Sequence, residues 1–213
     1  MGSSRLPGKA LAQVAGWPML RHVLARAQAI HGVDDVVLAT TTLERDAPLV
    51  DLAHDAGVRV VRGSEADVLG RFVRASTGAD VVMRLTGDCP LLAPDVCEAV
   101  LAEWLMRRDG FCSNDTRYSG YPDGTDCEVF SRADLLRAAA EASHPSDREH
   151  VTRWMYRRVH PVTMVCARGD WRRLKWSVDT PEDLAYVRRV MGLIPAGSYT
   201  LPATLRAALR EVA

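Results

Sequence analysis

The chain reads as an α/β protein built on a mostly parallel sheet with helices on both faces. Three observations predict this. Helical and strand-like apolar patterns alternate from residue 18 to residue 85, and a glycine-framed basic loop at residues 2–9 precedes them. Two aspartates, Asp88 and Asp179, each follow an apolar strand pattern, the place where open α/β sheets bind ligands. At 213 residues one domain is expected, residues 1–191, with 192–213 as a C-terminal tail.

Pro18 opens a segment in which Met19, Leu20, Val23, Leu24, Ala27 and Ile30 recur at helical spacing; Val36, Val37, Leu38 and Ala39 follow as a buried strand. A helix over 47–56, a strand over 58–61, a helix over 67–76 and a strand over 79–85 repeat the unit. Successive units of this kind build parallel sheets. After a helix over 94–108 the pattern shortens. Strands near 111–113 and 126–130, separated by turn-rich residues 118–124, predict a small inserted hairpin at a sheet edge over the site. Helices over 132–142 and 147–158, strands over 162–167 and 174–178, and a helix from Pro181 to about residue 191 complete the domain; a short helix over 203–212 ends the tail.

Composition narrows the function. With 27 basic and 27 acidic residues the formal charge is zero, so no global field attracts nucleic acid or an anionic membrane, and any anion site is local. No stretch approaches the roughly 20 apolar residues that span a bilayer, and the start of the chain has no secretory pattern, so a cytoplasmic protein is expected. The five cysteines lack a CxxC pair and are odd in number, which argues for reduced thiols serving as small buried hydrophobes.

The basic loop contains Gly2, Ser3, Ser4, Arg5, Gly8 and Lys9. Glycines let backbone N–H groups converge on anionic oxygens, and fixed cations neutralise them, so a triphosphate fits the chemistry. A Walker A loop is excluded, because five residues separate Gly2 from Gly8 and Ala10 follows Lys9. A solvated surface turn is the competing reading. Asp88 lies in Thr86-Gly87-Asp88-Cys89-Pro90, at the end of the apolar strand over 79–85; a carboxylate there can hold Mg²⁺, which takes oxygen ligands, although the same residues can form a plain turn. Asp179 lies in Val178-Asp179-Thr180-Pro181, where Thr180 can cap the helix while Asp179 points at a metal; a simple N-cap is its bland alternative. Two strand-end aspartates and a basic loop suit phosphoryl or nucleotidyl transfer. A glycosyltransferase would usually supply a D-x-D pair, which is not found around Asp88.

Residues 2–9, 65–71, 84–91, 122–130, 148–152 and 178–184 carry six motifs in an order that resembles the spore coat polysaccharide biosynthesis branch of the cytidylyltransferases, itself similar to the acylneuraminate and CMP-KDO synthetases. The resemblance covers roughly residues 1–191. It implies a Rossmann-like nucleotide-diphospho-sugar transferase fold and Mg²⁺-dependent transfer of CMP from CTP to a small sugar-like acid or related metabolite, with release of pyrophosphate. By the same resemblance Arg5 and Lys9 grip the triphosphate, Gly2, Ser3 and Ser4 lie at the nucleotide, and Asp67 and Arg71 lie close to it. Asp88 and Asp179 are the implied Mg²⁺ ligands. Asp123, Asp126, Glu128, Arg148, Glu149 and His150 belong to the acceptor side, and a homodimer is implied. Residues 148–150 read alternatively as a solvated helix face, and Asp123-Gly124 as a hairpin turn. Relatives carry a hydrophobic strand and Ala-Arg before the position matching Met1, so the first strand is expected to be missing here. A non-catalytic nucleotide- or sugar-binding homologue is therefore an alternative reading, and, because base choice is set by loop geometry, so is transfer from UTP or GTP.

Overall fold

The structure, a computed structural model, describes residues 2, 3 and 5–211. A 3₁₀ turn at Lys9–Leu11 leads into a two-rung hairpin of β1 (Gln13–Val14) and β2 (Trp17–Pro18), which sequence periodicity did not predict. Its two-residue loop places both Ala15 (φ 44°) and Gly16 (φ 84°) in the left-handed region, as the twist of a tight hairpin requires. Helix α1 (Met19–Gln28) then buries Met19, Leu20, Val23, Leu24 and Ala27, the stripe read from the sequence.

Strand β3 (Val37–Thr41) pairs in parallel with β4 (Arg59–Gly63) across the crossover helix α2 (Ala47–Asp55). Helix α3 (Val68–Ala75) follows, its N-terminus capped by the Asp67 carboxylate, which accepts from the Gly70 amide. A separate four-stranded sheet contains β5 (Val81–Arg84), β6 (Phe111–Ser113), β7 (Glu128–Ser131) and β8 (Val162–Met164), in the order β5-β7-β6-β8. Among the described residues no ladder joins this sheet to the β3/β4 pair. β6 and β8 are parallel; β7 is antiparallel to both neighbours, so the sheet is mixed.

The expected pairing of β6 with β7 forms, but β7 lies inside the sheet and not at its edge. The physical reason is burial on both faces. Val129 joins Cys112, Trp104 and Val100 on one side, with helix α4 (Pro94–Arg107), while Phe130 stacks on Phe111 at 5.8 Å on the other. Strands buried on both sides occupy sheet interiors.

The remaining helices are α5 (Thr116–Ser119), α6 (Arg132–Glu141), α7 (Pro145–Glu149), α8 (Arg153–Arg158), α9 (Pro181–Gly192) and α10 (Leu201–Glu211). The continuous helix expected over 147–158 is broken at Val151, whose φ of 47° no right-handed helix accommodates. The strand expected over 174–178 is reduced to a single bridge between Lys175 and Asp123. Its alternation is nonetheless real: Leu174, Trp176 and Val178 are buried, and Lys175 and Ser177 turn outward. Helix α10 belongs to the same core, since Ala207 and Ala208 pack in one cluster with Trp176, Val178 and Val187. All five cysteines are free thiols; four are buried as expected, while Cys166 is exposed because it lies beyond the end of β8.

Candidate active site

Val178 N–H donates to the Asp88 carbonyl at 2.9 Å, and this one backbone bond sets the turn after β5 beside the segment that enters α9. The two aspartates therefore come together. Their meeting point is Lys9: its Nζ donates to Asp88 Oδ2 at 3.0 Å, to Asp179 Oδ1 at 3.3 Å and to the Val178 carbonyl at 2.5 Å. Gly8 makes this approach possible, because it starts the 3₁₀ turn at φ 73°, a conformation that costs side-chain-bearing residues dearly. Arg5 Nη2 reaches Asp179 Oδ1 at 2.9 Å from a largely exposed position.

Asp179 is held from behind as well. Asp183 Oδ2 accepts from the amides of Asp179 and Thr180 at 2.9 and 3.0 Å and from Lys175 Nζ at 2.7 Å, while Lys175 also lies 3.4 Å from Asp179 Oδ2. Thr180 and Asp183 complete a capping box, so Thr180 takes the capping role and Asp179 is left to face the cleft. Burial alone would raise the Asp179 carboxyl, but the Lys9 and Lys175 cations outweigh it and hold it below the ordinary value.

Asp88 and Asp179 border an open cleft of about 1650 Å³ whose lining also includes Asp123, Asp126, Glu128 and His150, while Lys9 and Arg5 are not part of that lining. Asp126 is committed to its own loop, accepting from Thr116 N and Oγ1 and from Gly124 N. Glu128 is pinned between Arg84 (2.6 Å) and Thr152 Oγ1 (3.0 Å). Asp123 is the least engaged of the three, with one side-chain bond from Ser177 Oγ at 2.9 Å. Burial pushes its carboxyl up, and the neighbouring charges of Asp126 and Asp179 add to this.

Other sequence-predicted residues lie elsewhere. Asp67 and Arg148, assigned to opposite substrates, bind each other; Arg71 is buried with Nη1 donating to the Ser64 carbonyl at 3.0 Å; Glu149 is exposed. None of these four lines the cleft. Gly2 abuts the Arg45–Glu65 ion pair, where a Cβ would come within 2.8 Å of Arg45 Nη2. Ser3 Oγ accepts from the Leu6 amide at 3.3 Å, which shapes the loop, and Ser4 is outside the described residues. Sequence reading missed Lys175, Ser177, Arg84 and Thr152. The first two were legible as the outward members of the alternating 174–178 segment; Arg84 and Thr152 lie in the motifs over 84–91 and 148–152 but were given no role, and they act through Glu128.

The sequence profile of the cytidylyltransferase family matches residues 1–186. The chain belongs to this family. The chain is 30% identical over 201 residues to the spore coat polysaccharide biosynthesis protein SpsF of Bacillus subtilis, covering 88% of this chain and 81% of that protein. It is 34% identical over 171 residues to the 3-deoxy-manno-octulosonate cytidylyltransferase of Anaeromyxobacter dehalogenans (strain 2CP-1), covering 70% and 67% of the two chains. An uncharacterized protein of Methanocaldococcus jannaschii is also 34% identical, and the chain spans 63% of its length. In fold, a cytidylyltransferase structure from Leptospira borgpetersenii superposes with a TM-score of 0.93 at 24% identity, over 100% of this chain and 91% of that one. Among the described residues no helix of this cytidylyltransferase is long and apolar enough to cross a membrane.

Proposed function

We propose that this chain transfers CMP from CTP to an oxygen nucleophile of a small sugar-like acid or related metabolite, releasing pyrophosphate, with Mg²⁺ held by Asp88 and Asp179. The observation that carries the reading is the convergence of these two carboxylates, one from the turn after β5 and one from the segment entering α9, on a lysine of the glycine-framed loop.

The donor set suits the ion. Two carboxylate oxygens and the Val178 carbonyl are hard ligands, and Mg²⁺ ordinarily takes one or two carboxylates and completes its shell with water and substrate phosphate. When bound there it would supply charge neutralisation and polarisation at the α-phosphate. The protein's own part is positioning and electrostatics. On this reading Lys9 and Arg5 would stabilise the charge gathering on the departing pyrophosphate. The acceptor oxygen forms its bond to the α-phosphorus as the bond to the bridging oxygen breaks; that oxygen and its electron pair leave with pyrophosphate, and the acceptor's proton passes to water. Asp123 is the cleft carboxylate with the fewest existing partners, which supports its place on the acceptor side. Five free cysteines fit a reducing compartment such as the cytoplasm.

Calorimetric titration of CTP, UTP, GTP and ATP into the chain, each with and without Mg²⁺, tests the reading. CTP is expected to bind selectively and more tightly with Mg²⁺, and Asp88→Asn to remove the Mg²⁺ effect and at least about 100-fold of the turnover while the fold persists. A folded chain that binds none of the four, or an Asp88→Asn variant with near-normal turnover, overturns it.

A further inference from the structure

A lysine ammonium has three N–H donors, and each of those on Lys9 meets an oxygen: the Val178 carbonyl at 2.5 Å, Asp88 Oδ2 at 3.0 Å and Asp179 Oδ1 at 3.3 Å. Its side chain is only 15% exposed, so this is an enclosed set of partners and not a passing surface contact. The same three oxygens are the donors that a hard divalent ion would use. One position cannot serve both. An ammonium seated there occupies the lone pairs and repels a second positive centre across a few ångströms of partly desolvated space.

The neighbouring cations are arranged differently. Lys175 approaches Asp179 through the other oxygen, Oδ2, and is anchored on Asp183 at 2.7 Å. Arg5 reaches Asp179 alone and is 64% exposed. Lys9 is thus the one cation among the described residues whose ion pairs bridge Asp88 and Asp179. It is carried on the loop that the proposed function assigns to the triphosphate.

We propose that Lys9 is a tethered resident cation of the two-carboxylate site, and that a divalent ion enters as Lys9 transfers from the carboxylates to the phosphates of an incoming nucleotide. This rests on the reading of Asp88 and Asp179 as metal ligands. Before the nucleotide arrives Lys9 offsets part of the charge of the two carboxylates; afterwards the divalent ion offsets both of them and Lys9 offsets part of the charge of the triphosphate. Two consequences follow: metal and nucleotide bind cooperatively, and the protein without nucleotide has low affinity for divalent ions because its own lysine competes.

Mn²⁺ alone, without nucleotide, is the probe, and electron paramagnetic resonance of the free ion gives its affinity for the full chain. Lys9→Met removes the competitor and is expected to bind Mn²⁺ at least about tenfold more tightly than the unaltered chain, since removing a like charge of this proximity ordinarily shifts an equilibrium by an order of magnitude or more. Lys9→Arg keeps the charge and is expected to stay weak. Lys9→Gln is titrated beside Lys9→Met, with melting curves for both, so that a folding defect in one variant does not decide the result. Adding Asp88→Asn to Lys9→Met is expected to abolish the gain. Mn²⁺ binding that depends on Asp88 but is no tighter in either uncharged Lys9 variant overturns the exchange and leaves the metal site standing. Binding indifferent to Asp88, or absent in every variant, overturns the metal site and the exchange with it.

Discussion

Asp67 and Arg148, 81 positions apart, meet in a two-point ion pair: Arg148 Nε donates to Asp67 Oδ1 and Nη2 to Oδ2, both at 2.9 Å. Arg148 Nη1 also donates to the Ala139 carbonyl at 2.8 Å, and Asp67 Oδ1 caps α3 through the Gly70 amide. One ion pair therefore ties α3, the end of α6 and α7 together. Motifs that resemblance assigns to the nucleotide and to the acceptor are joined structurally by two residues that do not line the cleft.

Asp67→Asn is expected to destabilise the chain by about 1–2 kcal/mol at pH 7. A fork-like Arg–carboxylate pair would be worth more if fully buried, but Asp67 is 37% exposed and solvent screens it. The pH dependence has a definite sign. The Arg148 hydrogen bonds hold the Asp67 carboxyl below its ordinary range, so the stabilisation is present above the unfolded carboxylate pKa and disappears as pH falls through the lower folded value. Urea unfolding at pH 7, 5 and 3.5 should show the variant converging on the parent at the acid end. A constant difference across that range would mean the charge is not what matters.

Arg26 is 1% exposed, and among the described residues no carboxylate is in hydrogen-bond contact with it. It donates to the Leu92 carbonyl at 2.8 Å and to the Tyr199 carbonyl at 3.3 Å, lies 4.8 Å from the centre of the Tyr199 ring, and contacts Met191, so it pins the connection between α9 and α10 onto α1. Burial lowers its pKa to about 10, against the opposing influence of Tyr199 and Asp95, and it remains charged at neutral pH. Arg26→Ala is expected to cost about 3–5 kcal/mol, from the void and the stranded carbonyls together. Arg26→Met refills the space and should recover about half, because packing is one part of the loss and hydrogen bonding the other. Equal losses for the two variants in urea unfolding would show that packing contributes nothing here.

The path of the chain was legible wherever one strong local pattern decided it. The stripe of α1 follows from helical periodicity, because burial on one helix face leaves a regular trace in sequence; the apolar runs mark β3 and β5 as strands, but the run expected to be buried at residues 36–39 is half-buried, and the buried residues of β3 are Thr40 and Thr41. The chain break at Val151 left none: no glycine or proline marks it, and it is imposed by the packing of Val151 and Trp154 against Phe111. Position inside the sheet was equally hidden, since an apolar strand such as β7 reads the same at an edge or at the centre. At the site, the two strand-end aspartates were visible as types and places, whereas their convergence on Lys9 depends on the Val178–Asp88 backbone bond between distant segments. No local rule contains that bond.

Asp123 carries opposite consequences for stability and turnover. Burial raises its folded pKa, and Asp126 and Asp179 reinforce the shift, while Ser177 and Lys175 act against it. A carboxyl whose folded pKa is raised favours the protonated folded form, so its stabilising effect is greatest at low pH and the penalty of ionisation is in full force above the folded pKa. Asp123→Asn, which keeps an acceptor for Ser177, is therefore expected to melt at or above the parent temperature at pH 7. On the proposed function it should also lower kcat/KM for the acceptor at least about tenfold, with CTP affinity unchanged. A stability loss at neutral pH would contradict the burial argument, and an unchanged acceptor kcat/KM would remove Asp123 from the acceptor side.

Val151 is fully buried yet sits at φ 47°, and its position between α7 and α8 turns His150 and Thr152 toward the cleft. A β-branched residue in the left-handed region is strained, by about 1–2 kcal/mol relative to its ordinary conformations. Val151→Ala loses buried methyl groups from the cluster around Phe111 and Trp154 and keeps the backbone strain, for a cost of about 1–3 kcal/mol. Val151→Gly loses one more carbon but releases the strain. In an ordinary helix or strand glycine is about 0.5–1 kcal/mol worse than alanine; at this position the order should invert, leaving Val151→Gly at least as stable as Val151→Ala. Paired urea melts of the two variants decide it. If glycine falls below alanine by the usual margin, the left-handed turn is not a strained feature of the folded chain, and the break between the helices must be held by side-chain contacts alone.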